Sequence, residues 1–157
     1  MANDSLITDD LRKLIGVTLD TIVFKVEEGA IQRYAQAIGD PNPLYNDPDS
    51  AGKTKYGRLL APPGFTGWPV KAGRLSERLI ESLAKAGAPS RLLDGGIEFE
   101  FIEPISAGDE LTATTKIANI TERETRLGKT MFTTLETTFV NKKGDLALKS
   151  QSTFIMF

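Results

Sequence analysis

The feature that most constrains the fold is a series of strand patterns that fills the chain from Gly95 onward. Apolar and polar residues alternate through four segments, which is the period of a strand with one buried face. The segments are residues 97–102, 111–120, 131–140 and 146–156. A turn at residues 104–109 and short glycine-containing loops at 125–128 and 141–145 separate them. The pattern predicts four long strands in an antiparallel sheet.

Such a sheet needs a cover for its apolar face, and one long helical pattern can supply it. Residues 65–86 carry this pattern, with a break or bend expected around Pro69 and Gly73. The apolar face of the helix is predicted to consist of Leu75, Leu79, Ile80 and Leu83. Because the helix is the only long apolar element available, the sheet is expected to wrap around it in an α+β arrangement.

Shorter elements are predicted in the first third of the chain. A helix over residues 9–15, a strand over 19–26, a helix over 29–38 and a short helix near 50–55 are expected in turn. With 157 residues, the whole of 1–157 is expected to form a single domain.

Composition excludes several classes of chemistry. The chain has no histidine and no cysteine, so histidine bases, the usual zinc sites, thiolate nucleophiles and disulfides are excluded. No glycine-rich nucleotide-binding motif follows a predicted strand, so we expect neither a cofactor nor a metal. The formal net charge of -2 gives no bulk attraction to nucleic acid or acidic membranes, and no long apolar run is present. A cytoplasmic protein without nucleic-acid or membrane partners is expected.

Residues 39–47 are predicted to be a stiff polar loop. Their sequence, GDPNPLYND, contains two X-Pro steps, which disfavour regular helix or strand geometry in the residues before each proline. The loop follows the helix of residues 29–38 and presents an acid, an amide and a phenol, from Asp40, Asn42 and Tyr45. Taken alone, the segment is also compatible with an ordinary turn rich in Asn and Asp.

Several separated motifs give the chain a family resemblance. Around the loop they are Tyr34-Ala35, residues 39–47, Ala51, Tyr56-Gly57 and Leu60-Ala61-Pro62-Pro63. In the distal half they are Gly95-Gly96-x-Glu98-x-Glu100, Pro104 and Ala107-Gly108-Asp109-x-Leu111. In this order the motifs resemble the MaoC-like (R)-specific enoyl hydratase/dehydratase family, in particular its N-terminal half-domain type named after the dehydratase of fatty acid synthase. The resemblance covers nearly the whole chain from about Ile15 and implies a hot-dog fold, an antiparallel sheet wrapped around a long central helix.

The resemblance also implies roles for individual loop residues. Typical family members use a loop aspartate, and a histidine five residues later, as the acid/base pair that adds water to an enoyl thioester. Here the aspartate is Asp40, and Tyr45 stands at the histidine position. Asn42 is the asparagine that helps to hold the loop, and it is also expected in the substrate-binding site. Because a phenol titrates at roughly pH 10, Tyr45 is expected to donate a proton or orient water rather than act as the base.

The start of the central helix is the implied binding site for the thioester carbonyl. Catalytic family members usually carry glycine where this chain has Pro63, and proline has no N–H to donate. Gly64 is therefore the residue expected to supply an amide donor, and Pro63 and Phe65 are expected beside it in the substrate-binding site.

Three functions stay open at this point. The first is a hydratase or dehydratase acting on an enoyl or 3-hydroxyacyl thioester of coenzyme A or acyl-carrier protein. The second is a non-catalytic, acyl-binding hot-dog subunit of a heteromeric dehydratase. The third is a thioesterase with Glu77 or Glu81 as the base, although both are better explained as solvated helix charges.

Two further expectations concern binding partners. A homodimer, or a heterodimer with a second hot-dog subunit, is expected, because a lone sheet leaves a long edge strand exposed. Lys53, Lys55 and Arg58 lie near the loop in sequence and keep a weak phosphate-binding option open.

Overall fold

The computed structural model describes residues 5–65 and 73–157 of the chain. Within these ranges the strands form one antiparallel sheet with the order β1-β3-β4-β5-β2. The strands are β1 (Thr18–Lys25), β2 (Leu92–Phe101), β3 (Glu110–Thr125), β4 (Gly128–Asn141) and β5 (Leu146–Met156). The helices are α1 (Asp9–Lys13), α2 (Glu28–Ala37), α3 (Pro43–Asn46), α4 (Pro48–Gly52) and α5 (Gly73–Lys85). This is an α+β hot-dog fold, as predicted.

The four distal strands are confirmed, and three of them begin earlier than predicted, β2 by the largest margin. Strand β5 has the predicted bounds, and β3 and β4 extend further at both ends. Strand β2 begins at Leu92, well before the predicted start at Ile97, and its register with β5 shifts between Asp94 and Gly96. The Gly95-Gly96 pair lies at this bulge and interrupts the alternation, which is why the sequence pattern missed the first part of the strand.

Phe65 is not part of the central helix, contrary to the prediction. Within the described residues helix α5 spans Gly73–Lys85 and Phe65 is not helical, so the predicted helix start at Phe65 is wrong. Phe65 instead follows a turn in which its N–H donates to the carbonyl of Pro62 at 3.0 Å. The expected bend at Pro69 lies outside the described residues.

The apolar face of α5 is also narrower than predicted. Leu79 and Leu83 are buried, as expected, but Ile80 is 48% exposed. Because successive helical residues are rotated by about 100°, Ile80 lies away from the stripe formed by residues 79, 83 and 86.

The segment predicted as a loop without helix contains one helical turn, α3. Asn42 caps this turn, because its side-chain oxygen accepts a hydrogen bond from the N–H of Leu44 at 3.0 Å. Pro43 occupies the first helical position, where its missing N–H has no consequence. The next helix, α4, is capped by Asp47 and begins at Pro48, ahead of the predicted start near Ser50. Asn42 and Asp47 keep the extended backbone that an X-Pro step favours, and each helix begins at the proline that follows, so the X-Pro steps are compatible with these short helices.

The core consists of two apolar clusters beneath different elements. In the first, Leu79 and Leu83 of α5 pack with sheet residues that include Ile117 and Leu135. The second lies beneath α2 and the chain after α4, and its members are Val26, Ile31, Ala51, Leu59, Ile105, Leu111, Ala113, Phe139, Ala147 and Leu148. The second cluster supports the elements that carry the candidate site.

Strand β2 forms an edge of the sheet and exposes apolar side chains. It pairs with β5 on one side, and no described strand pairs with its other side. Leu93, Ile97, Phe101 and Ile102 on or just after this strand are each about half exposed, at 49%, 53%, 42% and 45%. An unpaired edge with this much exposed apolar surface favours association with another chain.

We therefore expect the protein to form at least a dimer through the β2 edge. Sedimentation of the purified chain should give a mass of at least twice 17.1 kDa. Ile97→Lys should shift the equilibrium toward monomer, because it places a charge on the apolar edge. Leu127→Lys is the matched control, since Leu127 is similarly exposed at 49% but lies at the tip of the β3–β4 hairpin. A monomeric wild type at micromolar concentration would contradict this assignment of the edge.

Candidate active site

Asp40 is placed directly after the end of α2. Gly39 adopts a φ of +70°, which turns the chain out of the helix, and the N–H of Asp40 then donates to the carbonyl of Ala35 at 2.9 Å. The carboxylate of Asp40 accepts a hydrogen bond from the N–H of Asn42 at 2.9 Å. The predicted base is therefore fixed at both its backbone and its side chain, and it is half-buried.

Asn46 holds the two arms of the loop together. Its side-chain amide donates to the carbonyl of Asp40 at 2.8 Å and to the carbonyl of Asn42 at 2.9 Å. Its own carbonyl accepts from the side chain of Gln32 on α2 at 3.1 Å. Sequence analysis missed this role. The abundance of Asn in the segment indicates backbone-bonding side chains in general but does not say which one bridges the loop.

Asn42, predicted to bind substrate, lies at the N-terminus of α3. Its side-chain oxygen caps the helix and its carbonyl accepts hydrogen bonds from Asn46 and from the N–H of Tyr45. These contacts agree with the loop-holding role that the family resemblance implies for this residue.

Tyr45, at the family's histidine position, lies on α3 and lines a cavity. The ring is half-buried and packs against the second core cluster. The cavity has a volume of 280 Å³ and is lined by Tyr45, Leu60, Ala61, Pro63, Phe101, Ile102, Glu103, Pro104 and Ile105. The lining is mostly apolar, and it includes the exposed end of β2 where a second chain is expected to associate.

The predicted site residues thus fall into three neighbouring groups. Tyr45 and Pro63 line the cavity, whereas Asp40 and Asn42 are on the loop beside Tyr45 and are not among its lining residues. Gly64 and Phe65 continue from Pro63 and contact Tyr34 on α2.

Gly64 is a position that only glycine fits. Its φ is +91°, a conformation that other residues rarely adopt. A Cβ atom placed there would also lie 2.7 Å from the hydroxyl of Tyr34, and the Tyr34 ring is 5.2 Å from the ring of Phe65. Sequence analysis used Tyr34 only as part of a helix and a motif. No local pattern pairs it with a residue thirty positions later.

Three backbone hydrogen bonds connect the site loop to the sheet through residues 59–61. The N–H of Leu60 donates to the carbonyl of Leu44 at 3.0 Å. The N–H of Ala61 donates to Ile105 at 2.8 Å, and Ala107 donates to Leu59 at 2.9 Å, both in or beside the turn between β2 and β3. The loop carrying Tyr45 is therefore attached to the sheet.

Other carboxylates near the loop have structural partners. Hydrogen bonds from the Ser50 hydroxyl and backbone hold the pKa of Asp47 below its usual value, as expected for a helix cap. Asp109 pairs with Arg58 at 2.6 Å, and Arg58 also donates to the carbonyl of Ala107. Arg58, one of the three candidate phosphate ligands, thus has protein partners already.

The two glutamates considered as thioesterase bases are exposed. Glu77 and Glu81, the alternative thioesterase bases, are both exposed on α5, and Glu81 lies 3.7 Å from Lys85.

Among residues 5–65 and 73–157, no three acidic side chains are grouped so as to hold a metal ion. The described helices include none long and apolar enough to cross a membrane.

Comparison with known proteins gives a family match over most of the chain. The family model described as "FAS1-like, dehydratase domain region" matches residues 13–149. A UPF0336 protein of Streptomyces avermitilis is 32% identical over 97 residues, which cover 62% of this chain and 63% of that protein. The match spans a little under two thirds of that relative's length.

Solved structures agree on the fold. A MaoC-like dehydratase superposes with a TM-score of 0.73 and 26% identity, covering 92% of this chain and 42% of that chain. A chain of the C-terminally truncated HadBC (3R-hydroxyacyl-ACP dehydratase) complex of Mycobacterium tuberculosis superposes with a TM-score of 0.68 and 20% identity, covering 96% and 99%. The second similarity extends over almost the full length of both chains and concerns the fold alone.

The bridging amide of Asn46 gives a direct test of the loop geometry. Asn46→Ala removes two hydrogen bonds and leaves two partly buried carbonyls without this partner, so we expect unfolding to become easier by about 1–3 kcal/mol. Chemical denaturation measures the change. Gln36→Ala, an exposed position on α2, is the control and should change stability by less than about 0.5 kcal/mol. Equal stability of the two variants would show that the bridge does not hold the loop.

Proposed function

The chain belongs to the FAS1-like dehydratase domain family, and we propose on this basis that it adds water to an enoyl thioester or removes it from a 3-hydroxyacyl thioester. The acyl group would be carried by coenzyme A or acyl-carrier protein, in cytoplasmic fatty acid metabolism. The observation that carries the proposal is the rigid presentation of Asp40 on the loop that also holds Tyr45 over an apolar cavity.

In the proposed hydration, Asp40 is the base. Its carboxylate takes a proton from water as the water oxygen forms a bond to C3 of the enoyl group. The electron pair of the double bond moves toward the thioester carbonyl, and the resulting enolate oxygen is stabilised by the N–H of Gly64. C2 then takes a proton from the phenol of Tyr45, and proton transfer from Asp40 through solvent restores the phenol. One water is added, and dehydration runs through the same steps in reverse.

The positions of the groups support this division of labour. Tyr45 carries an O–H group that can donate a proton, so it can act as the acid, and this leaves the carboxylate of Asp40 as the base. None of the described residues forms a hydrogen bond with the hydroxyl of Tyr45, which leaves it available to a ligand in the cavity. Pro63 lines the same cavity and adjoins Gly64, which brings the acyl group and the amide donor into one region.

A second candidate is a non-catalytic acyl-binding subunit of a heteromeric dehydratase. The observation that favours it is Tyr45 itself, in a chain without any histidine, because a partner would then have to supply the complete acid/base pair. The M. tuberculosis protein of similar fold is a complex of this general kind by its description. The exposed β2 edge, adjacent to the Tyr45 cavity, is where such a partner would associate.

Hydration of a crotonyl thioester by loop variants separates these candidates. Asp40→Asn keeps the side chain's shape and removes the base, so kcat should fall at least about a hundredfold, with little change in unfolding free energy. Asp49→Asn, at an exposed position of α4, is the control and should retain full activity. Equal turnover in wild type and Asp40→Asn would eliminate Asp40 as the base.

The Tyr45 variants test the proton donor. Tyr45→Phe should lower the hydration rate, because it removes the phenol proton, whereas Tyr45→His should raise it by restoring a group that titrates near pH 7. Tyr56→Phe is the matched control, since Tyr56 lies outside the cavity lining. A wild type without activity above buffer, together with tight binding of an acyl thioester, would instead support the subunit candidate.

A further inference from the structure

Tyr34 brings a phenol to the start of the segment that leads into the central helix. It lies on α2, the helix that also positions Asp40. Its hydroxyl is 2.7 Å from the point that a Cβ atom of Gly64 would occupy, and the phenol carbon that bears it is 3.8 Å from the same point. The hydroxyl is therefore beside the main chain of the residue proposed to hold the carbonyl oxygen.

The ring of Tyr34 is fixed, and its hydroxyl is open to solvent. The ring packs on Phe65 with centroids 5.2 Å apart and an interplanar angle of 44°. The side chain is half-buried, and within residues 5–65 and 73–157 no hydrogen bond joins its hydroxyl to another residue. The only buried side-chain oxygen or nitrogen without a partner in these ranges is the hydroxyl of Thr133, so the Tyr34 hydroxyl is accessible and can donate to a bound molecule.

Among residues 63–65 the amide donors are few. A carbonyl oxygen that becomes an enolate oxygen can accept two hydrogen bonds, and sites that stabilise such charge commonly use two donors. Pro63 has no N–H, and the N–H of Phe65 already donates to the carbonyl of Pro62. Of residues 63–65, this leaves Gly64 with an amide to offer. The Tyr34 hydroxyl, 2.7 Å from the position of a Gly64 Cβ atom, is a side-chain donor next to that residue.

We infer that Tyr34 donates a hydrogen bond to the carbonyl oxygen of a bound acyl thioester, beside the N–H of Gly64. The phenol keeps its proton throughout, so no bond other than the hydrogen bond forms or breaks at Tyr34. Donation to this oxygen strengthens as negative charge develops on it, which lowers the barrier to hydration more than it tightens binding. The inference rests on the proposed function only in taking an acyl thioester as the ligand.

The test is the infrared carbonyl stretch of bound butyryl-CoA carrying ¹³C at the thioester carbon. This saturated thioester cannot be hydrated, so the measurement reports hydrogen bonding to the carbonyl and is independent of turnover. The reference is the carbonyl stretch of the same thioester in a solvent that donates no hydrogen bonds. Binding to wild type should move the stretch to a lower frequency than this reference, and Tyr34→Phe should lose a clear part of that shift. Tyr56→Phe is the control and should keep all of it.

Two further readouts separate a donor from a merely structural tyrosine. With a crotonyl thioester, Tyr34→Phe should lower kcat by roughly a hundredfold while KM changes little. A thioether analogue of butyryl-CoA, which has no carbonyl oxygen, should bind wild type and Tyr34→Phe with the same Kd. The variant keeps the ring that packs on Phe65, and its thermal unfolding should match wild type.

The outcomes distinguish this inference from the proposed function. A wild type that shifts the carbonyl stretch but does not hydrate crotonyl thioester would overturn the proposed function and leave Tyr34 as the donor. An identical carbonyl shift in wild type and Tyr34→Phe would overturn the inference, whatever the activity. Absence of any binding of a butyryl thioester, whether of coenzyme A or of acyl-carrier protein, would overturn both.

Discussion

The attachment of residues 59–61 to both the site loop and the sheet is the interaction on which the candidate site depends. Leu60 donates to Leu44 on one side, and the backbone of Leu59 and Ala61 bonds to the turn between β2 and β3 on the other. Leu59 is buried in the second core cluster, and this packing holds residues 59–61 in place. Without these contacts, α3 would have few ties to the sheet, and Tyr45 and Pro63 would not share a cavity.

The replacement of histidine by tyrosine determines what chemistry the loop can do. A histidine exchanges its proton near neutral pH and can serve as both acid and base, whereas a phenol at the same pH can only donate. In the proposed hydration, the carboxylate of Asp40 then accepts the proton that water releases. This makes the rigid setting of Asp40, between Asn42 and the bridging amide of Asn46, more important than it would be beside a histidine. It also makes additional neutral donors, such as Tyr34, more valuable for charge on the carbonyl oxygen.

Much of the fold follows from the sequence, because β3 and β4 each have one buried and one more exposed face and so alternate clearly. The wrong predictions concern places where the folded backbone differs from what the local sequence pattern indicates. The bulge at Gly95-Gly96 interrupts the alternation, so the sequence pattern missed the start of β2. Asn42 caps a helical turn in a segment where the prolines were taken to indicate no helix. The central helix was predicted to start at Phe65 because the apolar spacing begins there, but the turn at Gly64 keeps Phe65 out of it.

Part of the candidate site could also be predicted from the sequence. The loop residues are contiguous and carry a family motif, so Asp40, Asn42 and Tyr45 could be predicted from the sequence as site residues, and their roles stay predictions. Asn46 lies within the motif, but its bridge joins carbonyls whose separation only the folded loop sets. The approach of Tyr34 to Gly64 joins two segments that are far apart in sequence, and it depends on how α2 packs over the chain after α4.

The central claim is that a single fixed carboxylate catalyses reversible water addition at C3 of a bound acyl thioester. The most direct measurement is dehydration of the two separate epimers of 3-hydroxybutyryl-CoA, followed by mass spectrometry of the thioester. Because Asp40 has one fixed position on the loop, we expect one epimer to lose water and the other to remain unchanged. Recovery of both epimers intact after prolonged incubation with the purified protein would contradict the claim.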